Sequence, residues 1–521
     1  MRKQSFIKGS AILISSAVIS KAIGAVFKIP LTNMLGGDGM SSFSCAYGLF
    51  LPVYAIASGG LTTAIAKLTA ENAAQGRYDN IKKLHKTALI LFSAAGTVLS
   101  VLIFMLAGPF SEKAASCPDG KLSVMMIAPS VLAGCITAVY RGCREGASDM
   151  YPTAISQVIE SAVRLSAGLG LCLFVLNSPE KVMPYLPKGT SITTAAAAAA
   201  VLGITISSVA GTAFMYICGN GCEKLSGGSK DRTGKIISDI MRIFLPTALG
   251  AAATNLTSLA DLGTIVRCLE NAGQESNMKY DPEFIYGSFM GLSVTVFNLI
   301  PSVTNMFGKG ILPFISACCA SNNKSGVKRL SERVTAVTAF IAVPCGLGLC
   351  TLSKPVLLFL FPKRAEECIV SAPSLSILGI AAIFLCLSVP LFSCFQAAGR
   401  ADIPVKLTLA GAAVKLSGNL LLIPQPSIGI CGAAVSTLLC YLAIFLLCLI
   451  FYPKTVGVSI NISFLVPIGI SGILCALTAF IVYPILPFSN FLSMPLSAAA
   501  GAAVYFTAAF ISGAYKRISS V

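Results

Sequence analysis

The chain has 521 residues, of which 55% are hydrophobic and 11% charged, with a mean hydropathy of +0.81 and a formal net charge of +17. No ordinary water-soluble domain has that composition, so the chain reads as an integral membrane protein. The excess of Lys and Arg calls for no nucleic-acid partner, because it lies in short segments between apolar runs, where it sets orientation.

A hydrocarbon core roughly 30 Å thick takes about 20 apolar residues per helix. Fourteen runs, nearly all of that length, follow one another. The first seven are Lys8 to Pro30, Phe43 to Ala66, Thr87 to Gly108, Leu122 to Tyr140, Thr153 to Leu176, Ile192 to Ile217 and Ile243 to Val266. The other seven are Phe284 to Phe307, Val334 to Leu352, Ile369 to Ala397, Val405 to Ile423, Gly429 to Phe451, Phe464 to Leu486 and Phe491 to Ala514. A membrane barrel is excluded, since its strands alternate weakly over about 10 residues, whereas these runs are continuously apolar. Helices satisfy their own backbone in lipid, which predicts an all-α polytopic bundle. The opening Met1-Arg-Lys-Gln imitates a secretory leader, but Lys21 and Lys28 interrupt the apolar run and no small-residue cleavage site precedes Pro30. The run is therefore expected to be the first span.

Basic segments resist translocation. With both termini inside, the inner segments, together with Lys8 and Lys406 at inner span ends, hold 25 Lys and Arg against 9 acids, while the outer segments hold 9 and 10. The expectation is a multi-pass protein of a bacterial cytoplasmic membrane whose basic inner face can also hold anionic lipid headgroups. Most cysteines, among them Cys172, Cys350, Cys386, Cys394, Cys440 and Cys448, fall inside spans as small hydrophobes, and only Cys117, Cys268 and Cys368 fall on the outer side. The sole histidine, His85, is placed in a basic inner loop, which argues against a metal centre or catalytic triad. Gly228-Ser-Lys-Asp-Arg-Thr-Gly-Lys235 imitates a phosphate loop, but it has one residue too many between its glycines and Ile236 where Ser or Thr would meet magnesium. Without an ATPase site or a soluble catalytic domain, no enzyme and no cofactor is expected. The drive is left to a coupling ion, the membrane potential or the substrate's own gradient.

The chain also repeats itself. Arg141-Gly-Cys-Arg-Glu-Gly146, Met150-Tyr-Pro152 and Arg164-Leu-Ser-Ala-Gly168 are echoed in order by Phe395-Gln-Ala-Ala-Gly399, Asp402-Ile-Pro404 and Lys415-Leu-Ser-Gly418, at offsets of about 251 to 253 residues. Tyr47-Gly48 is likewise echoed by Tyr286-Gly287. Related halves are a recurrent transporter plan. The expected organisation is a six-helix lobe over 1–225, a second over 226–455 and two additional helices over 456–521.

Several motifs carry a family resemblance. Lys8-Gly-Ser-Ala-Ile-Leu, Ser20-Lys-Ala-Ile-Gly24, Lys28-Ile-Pro-Leu31 and Leu35-Gly-Gly-Asp-Gly39 open the chain. Ala64-Ile-Ala-Lys67, Tyr140-Arg-Gly142, Met150-Tyr-Pro-Thr-Ala-Ile-Ser-Gln157, Glu160 with Arg164, Leu259-Ala-Asp261, Arg267-Cys-Leu269 and Tyr286-Gly287 follow. Together they resemble the stage V sporulation protein B and MurJ-like polysaccharide exporters, in the superfamily that includes MATE drug exporters. The resemblance implies two six-helix lobes around a central cavity, with two carboxyl-terminal helices lining a groove for a lipid tail. It implies a flippase for a polyprenyl-diphosphate-linked saccharide such as lipid II.

The charges inside the spans are the candidate site. Lys21 lies about 20 Å along its span at 1.5 Å per residue, deep enough that its ammonium must face a cavity or an acid. Lys28, seven residues on, shares that face, or snorkels to headgroups. Arginine's planar fork at Arg164 suits a diphosphate. Glu160 precedes it by four residues, the order that favours a helical ion pair, and the pair can be structural or can open to an anion. Asp261 is a candidate gate lock or cation ligand, and Lys415 a candidate lobe or lipid-groove contact. Pro52, Pro246, Pro301, Pro344 and Pro390 are candidate kinks. The expected partners are the lipid-linked saccharide, membrane lipids and a coupling ion or the potential. The alternatives are a cation-coupled drug antiporter, which would need more acids, and a non-transporting scaffold for wall or spore cortex synthesis.

Overall fold

The computed structural model describes residues 6–56, 60–187, 189–219, 227–275, 280–321, 323–461, 463 and 465–512. Among them there are helices and turns but no strand. The chain forms two compact units, Met1–Gly263 and Thr264–Val521. The first is built from α1 (Phe6–Ala55), α2 (Leu61–Ala74), α3 (Tyr78–Pro109), α4 (Lys121–Gly146), α5 (Tyr151–Asn177), the short α6 (Pro179–Val182), α7 (Ile192–Cys218) and α8 (Thr233–Thr254). Then α9 (Leu256–Glu275) runs across the division. The second unit contains α10 (Pro282–Ser288), α11 (Val294–Phe297), α12 (Leu299–Ala320), α13 (Lys324–Thr351), α14 (Ser353–Leu360), α15 (Ala365–Ala397), α16 (Asp402–Leu422), α17 (Cys431–Val456), α18 (Leu465–Ile485) and α19 (Asn490–Ile511).

Among the described residues twelve helical stretches are long and apolar enough to cross a membrane, and α8 with α9, bent by 43°, makes a thirteenth. The fourteenth comes from dividing α1. Its 50 residues would reach about 75 Å if straight, more than twice a hydrocarbon core. Gly36 breaks it, with φ 68° and ψ −165°, a conformation that a side chain would strain. Beyond Gly36 the chain doubles back. The rings of Phe27 and Phe43 lie 6.3 Å apart, whereas sixteen residues of straight helix would separate them by about 24 Å. The first limb does not stop at Pro30, as its apolar run does. It continues to Leu35, where Thr32 Oγ1 and Asn33 Nδ2 donate to the Lys28 and Ile29 carbonyls at 2.9 and 3.1 Å.

Packing in the first unit follows small residues. Gly168 of α5 and Gly203 of α7 meet backbone to backbone, so a Cβ on Gly203 would run into the α5 main chain. Ala195 to Ala198, with Ala200, bury the same helix. Without a hydrophobic drive between helices in lipid, such close approach is what holds them. At the carboxyl-terminal ends of α4 and α7, Arg144 of α4 donates to the Gly219 carbonyl at 3.0 Å, to the Cys218 carbonyl and to Asp149 at 2.9 Å. The last carbonyls of α7 are thus capped by a cation from another helix.

The same pairings recur in the two units. The contacts α2–α4, α3–α4, α4–α7 and α5–α7 of the first correspond to α12–α15, α13–α15, α15–α17 and α16–α17 of the second. The repeated sequence segments sit at the junctions between α4 and α5 and between α15 and α16. A core of Leu387, Leu391, Phe395, Ile444, Phe445 and Tyr452 fills the second unit. The last two helices, α18 and α19, pack on each other and against α13.

Candidate functional site

The described limbs of α1 and α5 run side by side in the same direction. Ser16 donates to Gln157 Oε1 at 3.1 Å, a separation of 141 residues, and Phe27 packs on Gly168 at that same offset. Lys21 therefore stands level with residue 162, about 3 Å from the height of Arg164 along the axis. On α5, Arg164 falls only about 20° round from Gln157, on the line that faces α1. Lys21 is exposed, Lys28 half-buried and Arg164 half-buried. The structure thus brings Lys21 and Arg164 to one depth on neighbouring helices.

Glu160 does not pair with Arg164. Its carboxylate accepts from Arg141 Nη2 of α4 at 2.8 Å, with both side chains about nine-tenths buried. Arg141 Nε donates to Ser156 Oγ at 2.9 Å, and the guanidinium also reaches the Tyr54 hydroxyl of α1. Room for the carboxylate exists because α7 carries Gly211, where a Cβ would collide with it. Arg164 keeps a buried Nε without a hydrogen-bond partner, and Tyr54 is its electrostatic neighbour. The i, i+4 rule favours the helix's own arginine on an isolated helix, but the neighbouring helix offers a better geometry. The apolar run ends at Tyr140, one residue short of Arg141, yet α4 continues to Gly146. His85 is corrected for the same reason. It is buried within α3, which starts at Tyr78, and lies edge-on to Tyr140 at 4.7 Å.

Asp261 is buried on α9, a turn and a half beyond the bend from α8. Lys415 is buried on α16, on the side where Gly411 and Gly418 pack against Cys440, Ile444 and Ser436 of α17. One turn on, Asn419 accepts from Ser436 Oγ and donates to Thr264 Oγ1 at 2.9 Å. Lys415 is one turn from that polar layer along α16, and it is not among the residues lining the groove of the second unit.

That groove, of about 520 Å³, is bordered by α12, α13, α14, α18 and α19. Phe340, Pro344 and Leu349 line one wall and Met494, Ala498 and Tyr505 the other. Tyr505 donates its hydroxyl to the Phe340 carbonyl at 2.8 Å, so even this polar tip is satisfied within the wall. In the sequence the groove is signalled by the two further apolar runs after the repeat and by the family resemblance, which implies a groove lined by them.

The phosphate-loop imitation is engaged elsewhere. Asp231 accepts from Arg77 at 2.8 Å, from Lys235 at 3.2 Å and from Asn80 at 3.0 Å, and Lys83 donates to its carbonyl at 2.8 Å. Desolvation works against its carboxylate, but the hydrogen bonds and charges of Lys235 and Arg77 outweigh it and hold Asp231 below the usual carboxylate range. The segment is a clasp on the α2–α3 turn. Asp231→Ala is expected to open it, seen as faster proteolytic nicking of residues 227–235 in inside-out vesicles, with the helical core still protected.

Residues 6–316 match the family described as "Polysaccharide biosynthesis protein", and residues 288–421 match "MatE". "Stage V sporulation protein B" of Bacillus subtilis (strain 168) is 24% identical over 486 residues, spanning 89% of this chain and 86% of that protein. "Lipid II flippase MurJ" of the same organism is 23% identical over 540 residues, spanning 98% and 96%. The solved structure "Lipid II flippase MurJ, inward closed conformation" has a TM-score of 0.71 at 15% identity and covers 96% of this chain and 99% of that one. With its repeated helical units and a family match over more than half its length, the chain belongs to the polysaccharide biosynthesis protein family.

Proposed function

We propose that this protein is a flippase that carries a polyprenyl-diphosphate-linked saccharide, lipid II or a related wall or polysaccharide precursor, across the cytoplasmic membrane by alternating access. The observation that carries the proposal is the groove against α18 and α19. It is lined almost wholly by apolar side chains, which suits a polyprenyl tail. Lys21, Lys28 and Arg164 supply positive charge for the diphosphate, and Lys21 and Arg164 do so at one depth. Both termini lie inside by the distribution of Lys and Arg. A charge crossing the membrane potential is worth about 2.3 kcal/mol per 100 mV, enough to favour the inward return of an empty cationic site.

Complementation tests this reading. A cell depleted of its own lipid II flippase and supplied with this chain is expected to expose lipid II on its outer leaflet. Failure at normal abundance would shift the substrate to another lipid-linked glycan. Ala498→Trp, which fills the groove from its exposed wall, is expected to reduce export at least fivefold without lowering abundance, because a long tail loses its seat. Unchanged export would remove the groove from the mechanism.

The MatE match over residues 288–421 favours a second reading, a cation-coupled antiporter. Cationic substrates need free acids within the spans, and Glu160 is already held by Arg141. Flux of cationic dyes in proteoliposomes, absent under the first reading, would revive it.

A further inference from the structure

We propose that Arg141 is a positioning residue for the anion site: by holding Glu160, it keeps the guanidinium of Arg164 open to a diphosphate. This rests on the reading that Arg164 meets the anion. Four observations lead to it. Glu160 and Arg164 have the acid-first i, i+4 spacing at which helical pairs form. Glu160 is nonetheless turned away, onto Arg141 at 2.8 Å. Arg141 is itself fixed by Ser156 at 2.9 Å and by Tyr54, and Gly211 leaves the space that the carboxylate fills. Arg164 is left with a buried Nε that no group among the described residues accepts.

The charges then add up in one direction. Glu145 also lies within electrostatic reach of Arg141 and not of Arg164, and Glu160 is bonded to Arg141, so both carboxylates sit on the Arg141 side and the geometry leaves the positive charge of Arg164 unmatched. Without Arg141, the buried carboxylate has a cation one turn away and every reason to turn to it, since an unpaired buried charge is strongly unfavourable. Arg164 would then be neutralised by its own helix. Arg141 thus acts on the anion only through Glu160.

The test uses the full chain in nanodiscs, with farnesyl diphosphate and inorganic pyrophosphate as probes and thermal melting in parallel. R164Q is expected to weaken farnesyl diphosphate binding at least tenfold. R141Q is expected to weaken it at least tenfold as well, although Arg164 is intact. R141Q/E160Q is expected to return to within about threefold of the wild type, because removing the acid releases Arg164. Pyrophosphate should follow the same order if the diphosphate alone is recognised, and stay unbound throughout if the tail is required. Wild-type binding by R164Q would overturn the underlying reading. With R164Q impaired, wild-type binding by a folded R141Q would overturn the positioning role. So would lost binding by a folded R141Q/E160Q, which would mean that Arg141 touches the anion itself. If R141Q does not fold, the double variant alone decides in that way, since it removes Glu160 together with its partner.

Discussion

Lys21→Ala is expected to lower the outer-leaflet appearance of the lipid-linked saccharide by about ten- to a hundredfold while membrane abundance stays unchanged. Hydrogen bonds to charged groups contribute about 1.5–3 kcal/mol, and each 1.4 kcal/mol is a factor of about ten. Lys21 is exposed on α1, so its removal opens no cavity in the first unit. It lies within the membrane, where a cation is retained at an energetic cost and usually marks a pathway. Its depth matches that of Arg164 through the Ser16–Gln157 and Phe27–Gly168 contacts. Lys21→Arg should keep most of the activity, since the charge stays at the same level. Loss with normal abundance supports a headgroup role, and full activity in Lys21→Ala removes it.

Gly203→Leu should have the largest structural effect. Gly203 lies against the backbone of Gly168, leaving no volume for even a methyl group. Overpacking a well-filled interior typically costs about 1–3 kcal/mol, and here the opposing atoms are main chain, which has no rotamer by which to yield. The change should separate α5 from α7, lower abundance severalfold and depress the melting temperature in detergent. Gly203→Ala should do the same in smaller measure. Gly170→Leu is the control on α5, because a Cβ there meets nothing within 4 Å. Equal losses at both positions would mean that the crossing is not responsible, since Leu by itself favours the helix over Gly.

These residues also show what a linear reading can and cannot see. Apolar runs mark spans well, because lipid demands an unbroken hydrophobic length whatever the neighbours are. They mark helix ends poorly. Helices continue past the hydrocarbon into polar sequence, which is how α3 took in His85 and α4 took in Arg141. The pairing of Glu160 is a matter of three dimensions. Spacing on one helix names Arg164, while the choice of Arg141 depends on Ser156, Tyr54 and the absence of a side chain at Gly211. The reversal at Gly36 was legible in outline, since two runs flanked a glycine pair, but only φ and ψ identify which residue turns. The repeat was legible because the junctions it matched are the ones that the helix pairings reproduce.

The ties on α4, α5 and α7 have a mechanical consequence. Arg144 fastens α4 to the carboxyl-terminal end of α7, the Gly168–Gly203 crossing locks α5 to α7 farther along, and Arg141 with Glu160 joins α4 to α5 between them. Three fastenings at different heights make these helices a stiff strut. Compliance is left to the helices outside it, at the Gly36 reversal and at the 43° bend between α8 and α9. A force applied to α5 at the depth of Arg164 would therefore reach the carboxyl-terminal ends of α4 and α7 as displacement of a whole rod, with little lost to bending.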